Sequence, residues 1–325
     1  MKRRSFISLL GGAAAAWPLA ARGQQAAMPV IGFLRSSSLA DSTVLVTAFR
    51  NGLRETGFVE GQNVAIEYHY ADNQIDRLPG LVANLIRHQV AVIVGNAAPA
   101  LAAKAVTTTV AILFVTGGDP VEDGFVASMN RPGGNVTGVS FFGSVVGAKR
   151  LELLRQLVPS ATTIAVLVNP DKANTEAERR DVQAAALAIG QGLIVLDVST
   201  VRDIETGFAT FVQRGAGALL AGGGAFMNSN RERIVALAAR HALPTSYAQR
   251  ESVVAGGLMS YGASITDAYR QVGVYAGRIL KGEKPGDLPV MRSSKFEFLI
   301  NLRTAKTLGL SVPLTLQAAA DEVIE

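Results

Sequence analysis

Ile164-Ala-Val-Leu-Val168 is a short apolar run closed by the turn-forming residues Asn169-Pro170-Asp171. A run of this length with such an end reads as a strand buried on both faces. It decides the fold because it restarts a series the chain has already completed once. Upstream, apolar runs at Val30–Leu34, Val64–Tyr68, Val90–Val94, Ala111–Val115 and Thr137–Phe141 alternate with amphipathic stretches at Asp41–Thr56, Asp76–His88, Pro99–Val106 and Val121–Met129. Downstream of Ile164–Val168 come Leu193–Asp197, Gly217–Leu220, Leu243–Tyr247 and Gly257–Ser260. The first four pairs are offset by 134, 129, 127 and 132 residues. Strands alternating with helices predict an α/β fold of parallel sheets, and the restart predicts two similar doubly wound lobes. Side-chain identities do not repeat, so the duplication is one of architecture. A single large doubly wound domain is the alternative that pattern alone leaves open.

The start of the chain has a separate reading. Lys2, Arg3 and Arg4 precede an apolar stretch, Phe6 to Ala21, that is too short to span a bilayer and ends in small residues. This is the form of an export signal over residues 1–23, cut after Gly23. The adjacent arginines before Ser-Phe-Ile resemble the address of the twin-arginine pathway, with the general secretory route as the alternative. There is no cysteine, so neither a disulfide nor an N-terminal lipid on cysteine is expected. A chain of about 300 residues after the signal must then rely on burial for its stability. The expected place of work is the periplasm.

Composition narrows the function. Hydrophobic residues make up 49% and charged residues 18%. The formal net charge is +5, but Lys2, Arg3, Arg4 and Arg22 precede the cut and no acid does, leaving +1. Later basic residues, such as Arg231 to Arg233, are mixed with glutamate as on a solvated helix face. Nucleic acid is therefore not expected as a partner. The histidines are scattered at His69, His88 and His241. No HExxH, Gly-x-Ser-x-Gly or Walker pattern occurs. No catalytic residue, metal or cofactor is assigned, although a carboxylate pair such as Asp119 with Glu251 keeps a periplasmic enzyme as a distant alternative.

Two facing parallel-sheet lobes present their strand ends to one cleft. The first lobe offers Arg35-Ser36-Ser37, Asn96-Ala97-Ala98, Gly117-Gly118-Asp119 and Phe141. The second offers Asn169, Gly223 within its triple glycine, Tyr247 and Tyr261. The same residue types serve caps and turns, so each has a purely structural reading beside the ligand-binding one. Asp119 reads both as partner to an ammonium group and as a cap for a helix beginning at Pro120. Arg35 reads both as partner to a carboxylate and as a surface arginine with no ligand to meet.

The segment from Gly118-Asp-Pro-Val-Glu-Asp-Gly through Gly133-Gly-Asn-Val-Thr-Gly-Val-Ser140 resembles the signature of ABC-transporter substrate-binding proteins of the tryptophan/tyrosine-binding type. Gly256–Gly262, Ile279–Val290 and Lys295–Leu310 are similar to that family as well. The resemblance runs from about Pro29 to Glu325. It implies a periplasmic binding-protein fold of type I, a clamshell whose lobes are joined by three hinge crossings. It also implies a small organic ligand such as an aromatic or apolar amino acid or related acid, with no chemistry done on it. The crossings are expected just after Val139–Gly143, near Ser260–Gly262 and near Val290–Ser293. That places residues 29–142 with 263–290 in lobe 1, and residues 143–262 with 291–325 in lobe 2. The expected partner is an inner-membrane ABC permease, and the expected state is a monomer. A sensing subunit that presents ligand to a receptor is the alternative role on the same fold.

Overall fold

The computed structural model describes residues 28–141, 146–171, 175–293 and 295–325. The export signal, and Phe142 and Gly143 of the first expected crossing, lie outside the described residues. Along the chain, β1 (Val30–Arg35), α1 (Thr43–Glu55), β2 (Ala65–Tyr70), α2 (Leu78–Arg87), β3 (Val92–Asn96), α3 (Ala97–Val106), β4 (Ala111–Thr116) and β5 (Val136–Ser140) build the first lobe. The second is built by α4 (Gly147–Leu157), β6 (Thr163–Val168), α5 (Thr175–Ala188), β7 (Gly192–Asp197), α6 (Val201–Gln213), β8 (Ala218–Ala221), α7 (Ala225–Ser229), α8 (Arg231–Arg240), β9 (Thr245–Tyr247), α9 (Arg250–Val254) and β10 (Met259–Ala263). The chain then returns with α10 (Ile265–Leu280) and β11 (Met291–Arg292). It ends with β12 (Phe296–Asn301), α11 (Leu302–Thr307), α12 (Leu314–Ala319) and β13 (Glu322–Ile324).

These strands form two sheets, one ordered β11-β5-β4-β3-β1-β2 and the other β13-β12-β10-β9-β8-β6-β7. All neighbours run parallel except β10 with β12. Continuous apolar runs suit this, because a parallel sheet is covered on both faces. Successive residues of β3 pack to opposite sides, Val92 and Val94 into one core cluster and Ile93 into another. In β6, Ile164, Val166 and Val168 face one core while Ala165 and Leu167 face the other. Each lobe thus has helices on both faces of its sheet, which makes an α/β fold with two parallel-sheet lobes.

Two local readings are corrected. Val121–Met129 forms turns rather than a helix, with Gly124 at φ +76°. Met291 and Arg292, placed by sequence in lobe 2, pair with Val139 and Ser140 in the first sheet. The third passage between the sheets therefore comes after Arg292.

The return of α10 depends on glycine. A Cβ at Gly52 of α1 would overlap the Arg270 carbonyl, and one at Gly273 of α10 would overlap the Phe49 carbonyl. The two helices meet backbone to backbone, which fixes Tyr269 against the first sheet with no exposure. Gly262, at the second passage, does not adopt a positive φ. Its requirement is steric, since a Cβ there would overlap the Ala248 carbonyl.

Candidate functional site

A cavity of ≈ 470 Å³ lies where the carboxyl ends of the two sheets face each other. The first lobe contributes Arg35 at the end of β1, Asn96 at the end of β3, Thr116 and Gly117 at the end of β4, and Phe141 after β5. The second contributes Asn169 after β6, Gly223 and Gly224 after β8, and Ala248 and Gln249 after β9. Val44, Leu45, Ile75, Leu101, Val115, Phe226 and Ile265 make much of the wall apolar. Its size and its sparse polar groups suit one small organic molecule.

The first-lobe wall is built around Arg35, which is 7% exposed. Its Nη1 donates to the Tyr269 hydroxyl, its Nη2 lies 3.4 Å from Ser37 Oγ, and its Cζ sits 5.1 Å from the centre of the Tyr269 ring. Burial pushes the Tyr269 phenol up, against the opposing effect of the Arg35 charge and hydrogen bond. Asn96 and Ser36 lock each other: the Ser36 N–H donates to Asn96 Oδ1 at 3.1 Å, and Asn96 Nδ2 donates to Ser36 Oγ at 2.7 Å. Phe141 can enter the wall because residue 117 is glycine, where a Cβ would lie 2.7 Å from its ring.

The second-lobe wall carries Glu178, backed by the buried Arg150. Arg150 Nη2 donates to the carbonyls of Ala221 and Ser246, the latter at 2.6 Å, so it ties together the ends of β8 and β9. Its Nη1 lies 3.8 Å from Glu178 Oε1. Burial lowers the Arg150 guanidinium to about 10, against the opposing charge of Glu178. Asn169 donates through Nδ2 to the Val198 carbonyl at 2.9 Å, which fixes its amide.

The lobes touch across the cleft at Asp41. Arg231 Nη1 lies 2.7 Å from Asp41 Oδ1, and Ser229 Oγ donates to Oδ2 at 2.8 Å. Ser38, beside Asp41 in the first lobe, also donates to Oδ2 at 2.8 Å. Burial pushes the Asp41 carboxyl up, but the hydrogen bonds from Arg231, Ser38 and Ser229 outweigh it and hold the group below its ordinary value.

Of the residues singled out from sequence, Arg35, Ser36, Asn96, Ala97, Phe141, Asn169 and Gly223 border the cavity. Four do not. Ser37 is buried behind the wall near Ser42 Oγ at 3.4 Å. Asp119 Oδ1 accepts the backbone N–H groups of Val121 and Glu122, closing a turn. Tyr247 is sunk in the second-lobe core, with its ring against Gly257, and burial pushes its phenol up. Tyr261 points from β10 into the core and stacks on Phe296 with centroids 6.0 Å apart. Asp41, Glu178, Arg231 and Tyr269 were not singled out for the site. Tyr269 lies 234 residues from Arg35, and nothing in its surroundings along the chain marks it.

A model of the family described as ABC transporter substrate binding protein matches residues 30–324. The chain belongs to that family. Substrate-binding proteins of this family bind solutes and are not enzymes, and the family is typically extracytoplasmic. A tyrosine-binding protein of Clostridioides difficile (strain R20291) is 26% identical over 263 residues, spanning 81% of this chain and 75% of that protein. Among solved structures, a conserved domain protein from Vibrio cholerae superposes with a TM-score of 0.84 at 23% identity, covering 91% of this chain and 99% of that one. An ABC domain in complex with L-Trp from Streptococcus pneumonia gives 0.83 at 23% identity, with the same coverage. The ligand-free, open structure of a substrate binding protein with adhesive properties from Clostridium difficile gives 0.68 at 25% identity, again covering 91% and 99%. Among the described residues of this substrate-binding protein, no helix is long and apolar enough to cross a membrane. No group of three or more His, Cys, Asp or Glu among them could hold a metal ion.

Proposed function

We propose that this substrate-binding protein is the extracytoplasmic component of an ABC importer. It captures a small organic ligand, an aromatic or apolar amino acid or a related acid, by closure of its two lobes. The observation that carries this reading is the cavity itself: the strand ends of both sheets wall it, its lining is largely apolar, and its two sides are tied together at Asp41 and Arg231. Relatives named for tyrosine and bound to L-Trp support the ligand class.

Capture needs no chemistry on the ligand. The ligand stabilises the closed form only by as much as it prefers that form over the open one. Closure brings Asp41 of one lobe to Ser229 and Arg231 of the other, completing a clamp at the mouth of the cleft. The closed protein is then the species that docks on the permease. Export is by the basic and apolar leader at residues 1–23, through the twin-arginine route, and the mature protein acts as a monomer that carries no lipid and binds no nucleic acid. The ligand contacts come from Arg35, Ser36, Asn96, Ala97, Phe141, Asn169 and Gly223.

Native mass spectrometry of the mature protein, purified without refolding, tests this directly. It is paired with a thermal-shift screen of amino acids and small aromatic acids. A retained or stabilising ligand is expected. Absence of any shift, together with turnover of one of the compounds, overturns the transport reading.

A further inference from the structure

The polar groups of the cavity wall are not balanced in charge. Among the described residues, Arg35 makes no ion pair, although it is 7% exposed and borders the cavity. Its partners are the hydroxyls of Tyr269 and Ser37 and the face of the Tyr269 ring. Its Nε is buried and has no acceptor. Beside it, across the β1–β2 register, the buried hydroxyl of Tyr70 also lacks a hydrogen-bond partner. Asp41, the acid that lines the cavity from the first lobe, is held by Arg231, Ser38 and Ser229. The other lining acids, Asp171, Glu178 and Glu251, come from the second lobe, where Glu178 lies beside Arg150.

A guanidinium taken out of water without a counterion is strongly disfavoured, and proteins rarely keep one unless something supplies the missing charge. Its planar fork matches a carboxylate, to which it can donate two parallel N–H bonds. Tyr269 holds the plane by its hydroxyl and ring, so the fork is oriented before a ligand arrives. We infer that Arg35, positioned by Tyr269, is the residue that reads the ligand, and that the ligand must carry a carboxylate directed at the first lobe. This rests on the proposed ligand-binding role and narrows its class: an aromatic acid qualifies with or without an amino group, whereas the corresponding amine or amide does not. Charge is read on the first lobe, and the apolar wall reads the rest of the molecule.

The test uses four probes of one shape on the mature protein: L-tryptophan, indole-3-propionate, tryptamine and L-tryptophanamide, with affinities measured by isothermal titration calorimetry. At least one of the two acids is expected to bind, with the amine and the amide weaker by a hundredfold or more. Arg35→Gln is expected to abolish that preference, and Arg35→Lys to restore part of it. Circular dichroism and the melting temperature establish that each variant is folded. An amine or amide that binds within threefold of the acids overturns the assignment of Arg35 and leaves the ligand-binding role standing. So does an Arg35→Gln protein that still prefers acids a hundredfold. If none of the four probes binds, the aromatic-ligand reading fails, and this inference fails with it.

Discussion

Each lobe buries one arginine beneath the strand ends that face the cleft, and the two are treated in opposite ways. In the second lobe Arg150, 2% exposed, donates from Nη2 to the carbonyls of Ala221 and Ser246 and lies beside Glu178, although its Nε, like that of Arg35, is buried with no acceptor. In the first lobe Arg35 meets only hydroxyls and an aromatic face. The compensated cation is part of the architecture, because its removal takes away the side-chain donor to two carbonyls and the positive charge beside Glu178. The uncompensated one has no acid beside it. Burial alone therefore does not separate a structural arginine from a binding one; the neighbours do.

The sharpest way to break this contrast is to replace both arginines with methionine and compare ligand-free stabilities by urea denaturation. Arg150→Met removes a buried charge beside Glu178 together with the donor to the Ala221 and Ser246 carbonyls, and should cost about 3–5 kcal/mol. Arg35→Met removes the donor to the buried Tyr269 hydroxyl and the weaker contact with Ser37, and should cost about 1–3 kcal/mol. Equal losses would dissolve the distinction. A second contrast concerns helix contacts. Gly52→Ala forces α1 off the Arg270 carbonyl and should destabilise the first lobe by about 1–3 kcal/mol. At Gly207 of α6 a Cβ would meet only side chains, Leu167 Cδ1 at 3.3 Å and Leu196 Cδ1 and Val198 Cγ1 at 3.9 Å. Gly207→Ala should therefore leave stability within about 1 kcal/mol of wild type, because alanine's helix propensity offsets a small shift of that side chain. Differential scanning calorimetry of the two variants reads the difference.

Between the lobes, Asp41→Asn should weaken ligand binding about tenfold with little change in ligand-free stability, since it removes a charged partner made across the cleft. The pH dependence has a definite sign. An acid held below its ordinary value of 3.8 contributes stability that is present above that value and lost as pH falls through the lowered one. Affinity in the wild type should therefore show no loss from this pair between neutral pH and about pH 5, then fall below about pH 4, and the fall should be smaller in Asp41→Asn. Titration calorimetry across that range checks both. The smallest effect is expected at Asp119→Ala: a loss of about 1 kcal/mol from the turn it closes, with ligand affinity unchanged. A change in affinity there would return Asp119 to the binding site.

Much of the fold was legible because parallel strands buried on both faces leave continuous apolar runs, and β1, β3, β4 and β6 all announce themselves in this way. The failures have particular causes. Val121–Met129 has a helix-like apolar spacing, but Gly124 takes a positive φ and Asp119 binds the first amides of a turn. Met291 and Arg292 form a two-residue strand, too short to carry any periodicity. In the site, residues at strand ends were found because topology places every such end at the cleft. Tyr247 and Tyr261 were misplaced by the same rule: it locates a residue along a strand but does not say to which face its side chain turns.

By itself the sequence determined the alternating α/β plan and its restart at Ile164, the strand ends, and the family signature from Gly118 to Ser140. Those are local properties, written in runs of apolar residues and in the small residues that end them. Tertiary structure alone decided that Arg35 meets Tyr269, that Asp41 meets Arg231, and that Arg150 rather than Arg35 lies beside an acid. The reason is physical: a charge is paired or unpaired according to what folds against it, and those partners come from segments far apart in the chain.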